Sequence, residues 1–197
     1  MNRILIAVVL LFTFGARSAS GASMNPLERQ RLVAHLEMTE SWLLDEVSGL
    51  SPAQVQFRPA PGSWSILEVI DHLVVCEPIY WQDLQTALKT PPVSLNRSTS
   101  DADTLWYGID RTQRQNAVPA ELPKGQVPDL KSGLDAFRKM HAQMLRYART
   151  TNDDLRSHLV QREGSDAYQW CLLISTHEQR HILQIREIKA DPKFPKK

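Results

Sequence analysis

Apolar residues recur at helical spacing in four long stretches of this chain, and no run alternates convincingly enough to make a strand. The first stretch runs from about Pro26 to Leu50, with Leu32, Leu36, Leu43, Val47 and Leu50 on one stripe. Asn25 followed by Pro26 is a good start, a capping side chain and then a proline at the first helical position, and Ser51-Pro52 stops it. The second opens sharply at Ser65, because Ser65-Ile66-Leu67-Glu68 is a capping box. Val69, His72, Leu73, Cys76, Ile79 and Tyr80 share one side of it, and Pro78 is expected to kink it or end its regular part. In the third, capped by Asp129, the residues Leu130, Leu134, Phe137, His141, Leu145 and Ala148 form a stripe that reaches about Thr150. The fourth is capped by Ser165 or Asp166 and ends before Pro192.

The segments between these stretches read as connections. Val55 to Trp64 carries three breakers, Pro59, Pro61 and Gly62. From Thr90 to Pro128 no periodicity persists and Pro91, Pro92, Pro119, Pro123 and Pro128 punctuate the chain, which gives a loop long enough to cross from one end of a bundle to the other. The second and third helices can therefore run parallel. Leu105-Trp106-Tyr107 is expected to make a short turn that lids the bundle, since an exposed Trp-Tyr pair would be a poor surface. Asn152 to Gly164 is polar, with room for a local strand or turn, and Lys193 to Lys197 is a basic tail. The fold class expected is all-α, a four-helix bundle with a long crossover between helices two and three.

The first 22 residues stand outside that pattern. MNR is a short basic start, Ile4 to Phe14 is an apolar run too short to span a bilayer comfortably, and Ser20-Gly21-Ala22 offers small residues for cleavage. Residues 1–22 are read as a signal peptide, with an uncleaved anchor as the alternative, and residues 23–197 as one domain of an exported, periplasmic or secreted protein. Removing the leader takes Arg3 and Arg17 and leaves 21 basic side chains against 22 acidic ones, a net charge of −1. Such a balance gives no footprint for nucleic acid or an anionic membrane, and no membrane span is left once the leader is removed. Small molecules or proteins are the expected partners, and a homodimer stays open.

The chemistry is concentrated in Ser175 to Ile188. His177 and His181 are one turn apart, and Trp170, Leu173, Ile174, Gln184 and Ile188 share their arc, with Gln179, Arg186 and Lys189 on or towards the opposite side. The pair points at the core, where an imidazole needs a partner. Two core histidines bonded to neighbours would satisfy that need, and so would a shared ion. HEQRH also matches the zinc-protease pattern, with Glu178 in the place of its general base. In a bundle, His72 on the second helix can face the pair. Three neutral imidazoles without a carboxylate suit zinc or nickel better than magnesium or calcium. The other histidines read as structural: His35 in a groove or at the surface, His141 in the core and His158 in solvent. Gln184 is the candidate supporting contact, and Glu68 a weaker acid–base candidate because its capping role already explains it.

WSILEVIDHL around His72, the run HEQRHILQI, the connection FRPAPGSWS and the proline-punctuated crossover together resemble the DinB-like (DinB/YfiT) metal-binding superfamily, over about Pro26 to Ile188. The resemblance implies an up-down-down-up bundle and a metal held by His72, His177 and His181. Relatives often carry Asp at the position of Glu178. Members with understood activity include transferases and isomerases that use low-molecular-weight thiols, cytosolic reductants that an exported chain would not meet. A metal-dependent transferase or hydrolase acting on a small molecule or thiol is the expected function, and a non-catalytic protein with a structural ion the alternative. Cys76 and Cys171 are expected to be unpaired, mostly buried thiols.

Overall fold

The computed structural model describes residues 23–94 and 99–196. The leader expected at 1–22 lies outside the described residues. Six helices are present among them: α1 (Pro26–Val47), α2 (Pro52–Gln56), α3 (Ile66–Leu88), α4 (Asp101–Ile109), α5 (Leu130–Thr150) and α6 (Ala167–Lys189). A 3-10 turn at Pro119–Glu121 and a two-residue antiparallel pair, β1 (Leu159–Val160) with β2 (Ser165–Asp166), complete the described elements.

The four long helices are those expected from the periodicity, and their starts are set chemically. Asn25 with Glu28, Ser65 with Glu68 and Asp166 with Gln169 each form a reciprocal capping box, while Asp129 caps α5 through the Ser132 amide. Pro78 neither ends nor interrupts α3, which continues to Leu88. The Ser51-Pro52 stop itself opens the short helix α2, with Ser51 and Gln54 as a further capping box.

Cross-helix contacts fix the directions. Along α1 and α6 the pairs Glu28 with Tyr168, His35 with Ser175 and Thr39 with Glu178 advance together, so these helices are parallel. Between α3 and α6, His72 meets His177 while Tyr80 meets Trp170, so these run antiparallel. Ile70 lies by Gly133 and Trp81 by Tyr147, which makes α3 and α5 parallel. The topology is therefore up-down-down-up. The core comprises one cluster around Leu36, Tyr80, Tyr168 and Trp170, a second around Leu43, Ile70, Phe137 and Ile185, and a small third of Val55, Leu67 and Val127.

The crossover is more structured than its composition suggests. Ser100 and Asp103 cap a nine-residue helix, α4, which lies along α6. A Cβ added at Gly108 would come within 3.0 Å of the Thr176 carbonyl and 2.7 Å of Gln179 Oε1, so the absence of a side chain lets the two helices approach. This explains why Gln179, on the side of α6 expected to face outwards, is buried, as is its neighbour Arg180. The expected burial of the Trp-Tyr pair holds only in part: Tyr107 is half-buried under the Arg180 guanidinium, whereas Trp106 is exposed. His158 is half-buried, not solvated as expected from its polar surroundings. Among the described residues no helix is long and apolar enough to cross a membrane.

Candidate metal centre

His72 on α3 and His177 and His181 on α6 come together as one cluster, with one ring nitrogen of each lying within 4.8 Å of the others. The Nε2 atoms of His72 and His181 are 3.0 and 3.1 Å from Nε2 of His177. All three residues are buried, with 1%, 7% and 8% of their surface exposed, and they line a cleft of about 920 Å³. The pair on α6 thus forms part of the cleft wall, and α3 supplies the third ring because antiparallel packing sets Asp71-His72 opposite that turn.

The tautomers follow from the outer partners. His72 Nδ1–H donates to the Glu121 carbonyl at 2.6 Å, and His181 Nδ1–H donates to Gln184 Oε1 at 2.8 Å. In each neutral ring the proton on Nδ1 leaves a lone pair on Nε2. Both lone pairs face His177 Nε2, which holds one proton at most and can satisfy only one of them. At least one of the two lone pairs is therefore left without a donor, a need that a cation meets and the single proton of a neutral His177 does not. Electrostatics favour the same state. Burial, then the neighbouring imidazoles, push the His177 and His181 pKa values well below 6.5, and burial lowers that of His72. The rings are neutral at pH 7, the form that ligates.

The crossover supplies the support that the sequence did not disclose. The Asp71 carboxylate accepts four consecutive backbone N–H groups, from Lys124, Gly125, Gln126 and Val127, at 2.5 to 3.0 Å. This clamp fixes the loop beside His72 and so places the Glu121 carbonyl. The Glu121 carboxylate pairs with Arg162, and Arg180 donates to the backbone carbonyls of Tyr107, Asp110 and Gln113, holding the α4 end of the crossover over α6. The Trp64 ring lies 4.9 Å from that of His72 and 6.2 Å from that of His181, shielding one side of the cluster, and Tyr80 lies 5.2 Å from His177. A carbonyl and a loop of backbone amides leave no signature in a sequence; Asp71 beside a candidate ligand was the one available hint.

Other sequence candidates separate from the site. Gln184 takes the supporting place expected of it. Glu68 caps α3 and bonds Arg58, and does not line the cleft. Glu178 does not line the cleft either; it faces the core, bonded to Thr39 and His141, so it cannot serve as the general base of a zinc protease acting there. His35 is half-buried and bonds Ser175. Cys76 Sγ sits 3.5 Å from His72 Nδ1 and 3.6 Å from its Nε2, outside the three-histidine group, and both cysteines are free and buried. Burial raises both thiols, Cys76 to about 12, which keeps them protonated at neutral pH.

The pattern of the DinB superfamily matches residues 35–185. The chain belongs to the DinB superfamily. The protein YuaE of Bacillus subtilis (strain 168), itself uncharacterized, is 28% identical over 155 residues, covering 76% of this chain and 91% of YuaE. YfiT from Bacillus subtilis, described as "a probable metal-dependent hydrolase with an unusual four-helix bundle topology", superposes with a TM-score of 0.59 at 16% identity, over 85% of this chain and 89% of YfiT. The likeness to YfiT establishes the bundle, and the fit of three neutral imidazoles to a divalent ion rests on the geometry above.

Proposed function

We propose that this DinB-superfamily chain is an exported, metal-dependent transferase or hydrolase, in which His72, His177 and His181 hold a divalent ion, zinc or nickel, at the wall of the cleft. The observation that carries this reading is the convergence of three buried Nε2 atoms, with fewer protons than lone pairs to satisfy, at the wall of a cavity of about 920 Å³. Such a volume matches a small-molecule site. Three protein donors leave a coordination position open, the pattern of catalytic sites and not of structural ones. The basic start, apolar run and small residues within 1–22 support export.

A divalent ion there supplies Lewis acidity and makes a nucleophile, water or a thiol, available in its deprotonated form near neutral pH. The chain's own residues do the remainder. Glu121 and Gln184 hold His72 and His181 in the Nδ1–H tautomer, keeping each Nε2 aimed inwards. Trp64 excludes water from one flank of the cluster. Arg111, Arg114 and Arg162 line the cleft together with Asp103, Glu163 and Glu187, Arg111 being paired with Glu187, so the site suits a substrate with polar groups and does not select by net charge alone.

Metal analysis of the purified full chain followed by titration of a cobalt-substituted sample with a small thiol tests the proposal. One equivalent of metal, lost in His72→Ala, and a thiolate-to-cobalt absorption band that saturates are expected. A visible spectrum unmoved by thiols and small anions would make the ion structural and overturn the catalytic reading.

A further inference from the structure

A second cluster of donors lies deeper in the bundle. Glu77 on α3, His141 on α5 and Glu178 on α6 each offer one atom, and these atoms lie within 4.8 Å of one another. All three residues are buried, with 8%, 1% and 1% of their surface exposed. The cluster is only partly satisfied from within. His141 Nδ1 pairs with Glu178 Oε1 at 3.0 Å, and Thr39 Oγ1 donates to Glu178 Oε2 at 2.5 Å. Glu77 Oε1 and His141 Nε2 have no hydrogen-bond partner; the nearest carboxylate to His141 Nε2 is Glu40, at 3.9 Å.

Unpaired buried polar atoms are costly, and Glu77 Oε1, beside the ring and carboxylate of the same cluster, calls for a missing partner. Glu77, His141 and Glu178 line a common cavity of about 10 Å³, room for roughly one water or one ion. Trp81, Met140 and Gln143, all half-buried, complete part of its rim and give a way in between α3 and α5. Donor chemistry decides between the two occupants. Two carboxylates, with a third from Glu40 close by, surround one imidazole, a convergence of buried anionic and nitrogen donors that suits a cation better than a water.

We propose that Glu77, His141 and Glu178 form a second cation site, distinct from the three-histidine cluster, which takes a divalent ion of the manganese or ferrous class. Two carboxylate oxygens and one imidazole nitrogen make a harder donor set than three imidazoles, and carboxylates favour such ions while an imidazole excludes magnesium and calcium less than it rewards transition metals. The ion ties α3, α5 and α6 together inside the bundle, and the Thr39 hydroxyl from α1 orients the Glu178 carboxylate. Glu178, one position after His177, points to this site because successive helical residues diverge by ~100°.

The test uses the full chain first saturated with one equivalent of zinc, then titrated with manganese(II) and followed by the loss of the free-ion paramagnetic resonance signal. One further equivalent of manganese is expected to bind, to persist in His72→Ala, and to weaken by more than about tenfold in Glu77→Gln, since losing a direct donor exceeds the loss of an outer partner. His141→Gln, which keeps an amide in place of the ring, gives an independent second variant if Glu77→Gln does not fold. No manganese bound by the zinc-loaded wild type, or binding that Glu77→Gln leaves unchanged, overturns the second site. Loss of zinc but not manganese binding in His72→Ala separates the two sites, so failure of either proposal is read without the other.

Discussion

His177 sits between two rings whose outer nitrogens are already spoken for, and this small fact decides what the cluster is. Were the Glu121 carbonyl or the Gln184 amide oxygen absent, His72 or His181 could flip its proton inwards and the three rings would make an ordinary hydrogen-bonded chain. The HxxxH spacing was plain in the sequence, and so was the side of the helix it occupies. The partner of His72 was not, because a backbone carbonyl 49 residues away has no residue type. Elsewhere on α6 a titratable contact gives a clean check at the same scale. Burial alone would raise the Glu46 carboxyl, yet hydrogen bonds and charge from Lys189 and Arg186 hold it below its ordinary 4.5. A depressed carboxyl pKa contributes stability that is complete above about pH 4.5 and is lost as the pH falls through the lower folded value. Glu46→Gln is therefore expected to cost about 1 kcal/mol at pH 7, with the gap to wild type closing below pH ~4. Urea denaturation midpoints at the two pH values measure this; a gap that widens in acid would contradict it.

At the level of elements, the four long helices were legible because each carries a cap, a stripe and a stop, whereas the crossover was not. Its prolines announce a connection but conceal α4, a helix whose nine residues are too few for a periodicity to emerge. Its position depends on Gly108 meeting α6 and on Arg180 bonding three carbonyls, contacts between segments distant in sequence. The other end of the crossover depends on Asp71. With 2% of its surface exposed and four backbone amides bonded, its carboxylate is the one acceptor those amides share. Asp71→Ala is expected to destabilise the protein by about 1–3 kcal/mol, because one buried and three part-buried amides lose the acceptor they share. The discriminating readout is hydrogen exchange: amides 124–127 should lose protection while those of α5 keep theirs. Metal affinity should fall as well, through the displaced Glu121 carbonyl, and retained protection at 124–127 would show that the loop holds without the clamp.

For the whole molecule, the up-down-down-up path is what makes a site possible. Running α3 and α5 in the same direction puts the long crossover at the mouth of the bundle, where α4 and the Glu121 turn border the cleft. The same path sets α6 against α1, α3 and α4, which is why even its Arg180 and Gln179 are buried. Of the positions on α6 expected to be wet, Arg186 is exposed and Gln179 is not, because the element that covers Gln179 comes from a segment without a pattern of its own. One consequence is that polar side chains enter the interior on two faces of α6, the histidines on the cleft side and Glu178 on the core side. The central claim, three imidazoles sharing one ion at the cleft wall, is tested most directly by X-ray absorption at the zinc edge of the zinc-loaded full chain beside His72→Ala. The expected wild-type spectrum shows three imidazole scatterers plus a light atom from solvent at ~2.0–2.1 Å, and the variant no ordered zinc. A wild-type spectrum with fewer than three imidazoles, or one unchanged by His72→Ala, would contradict it.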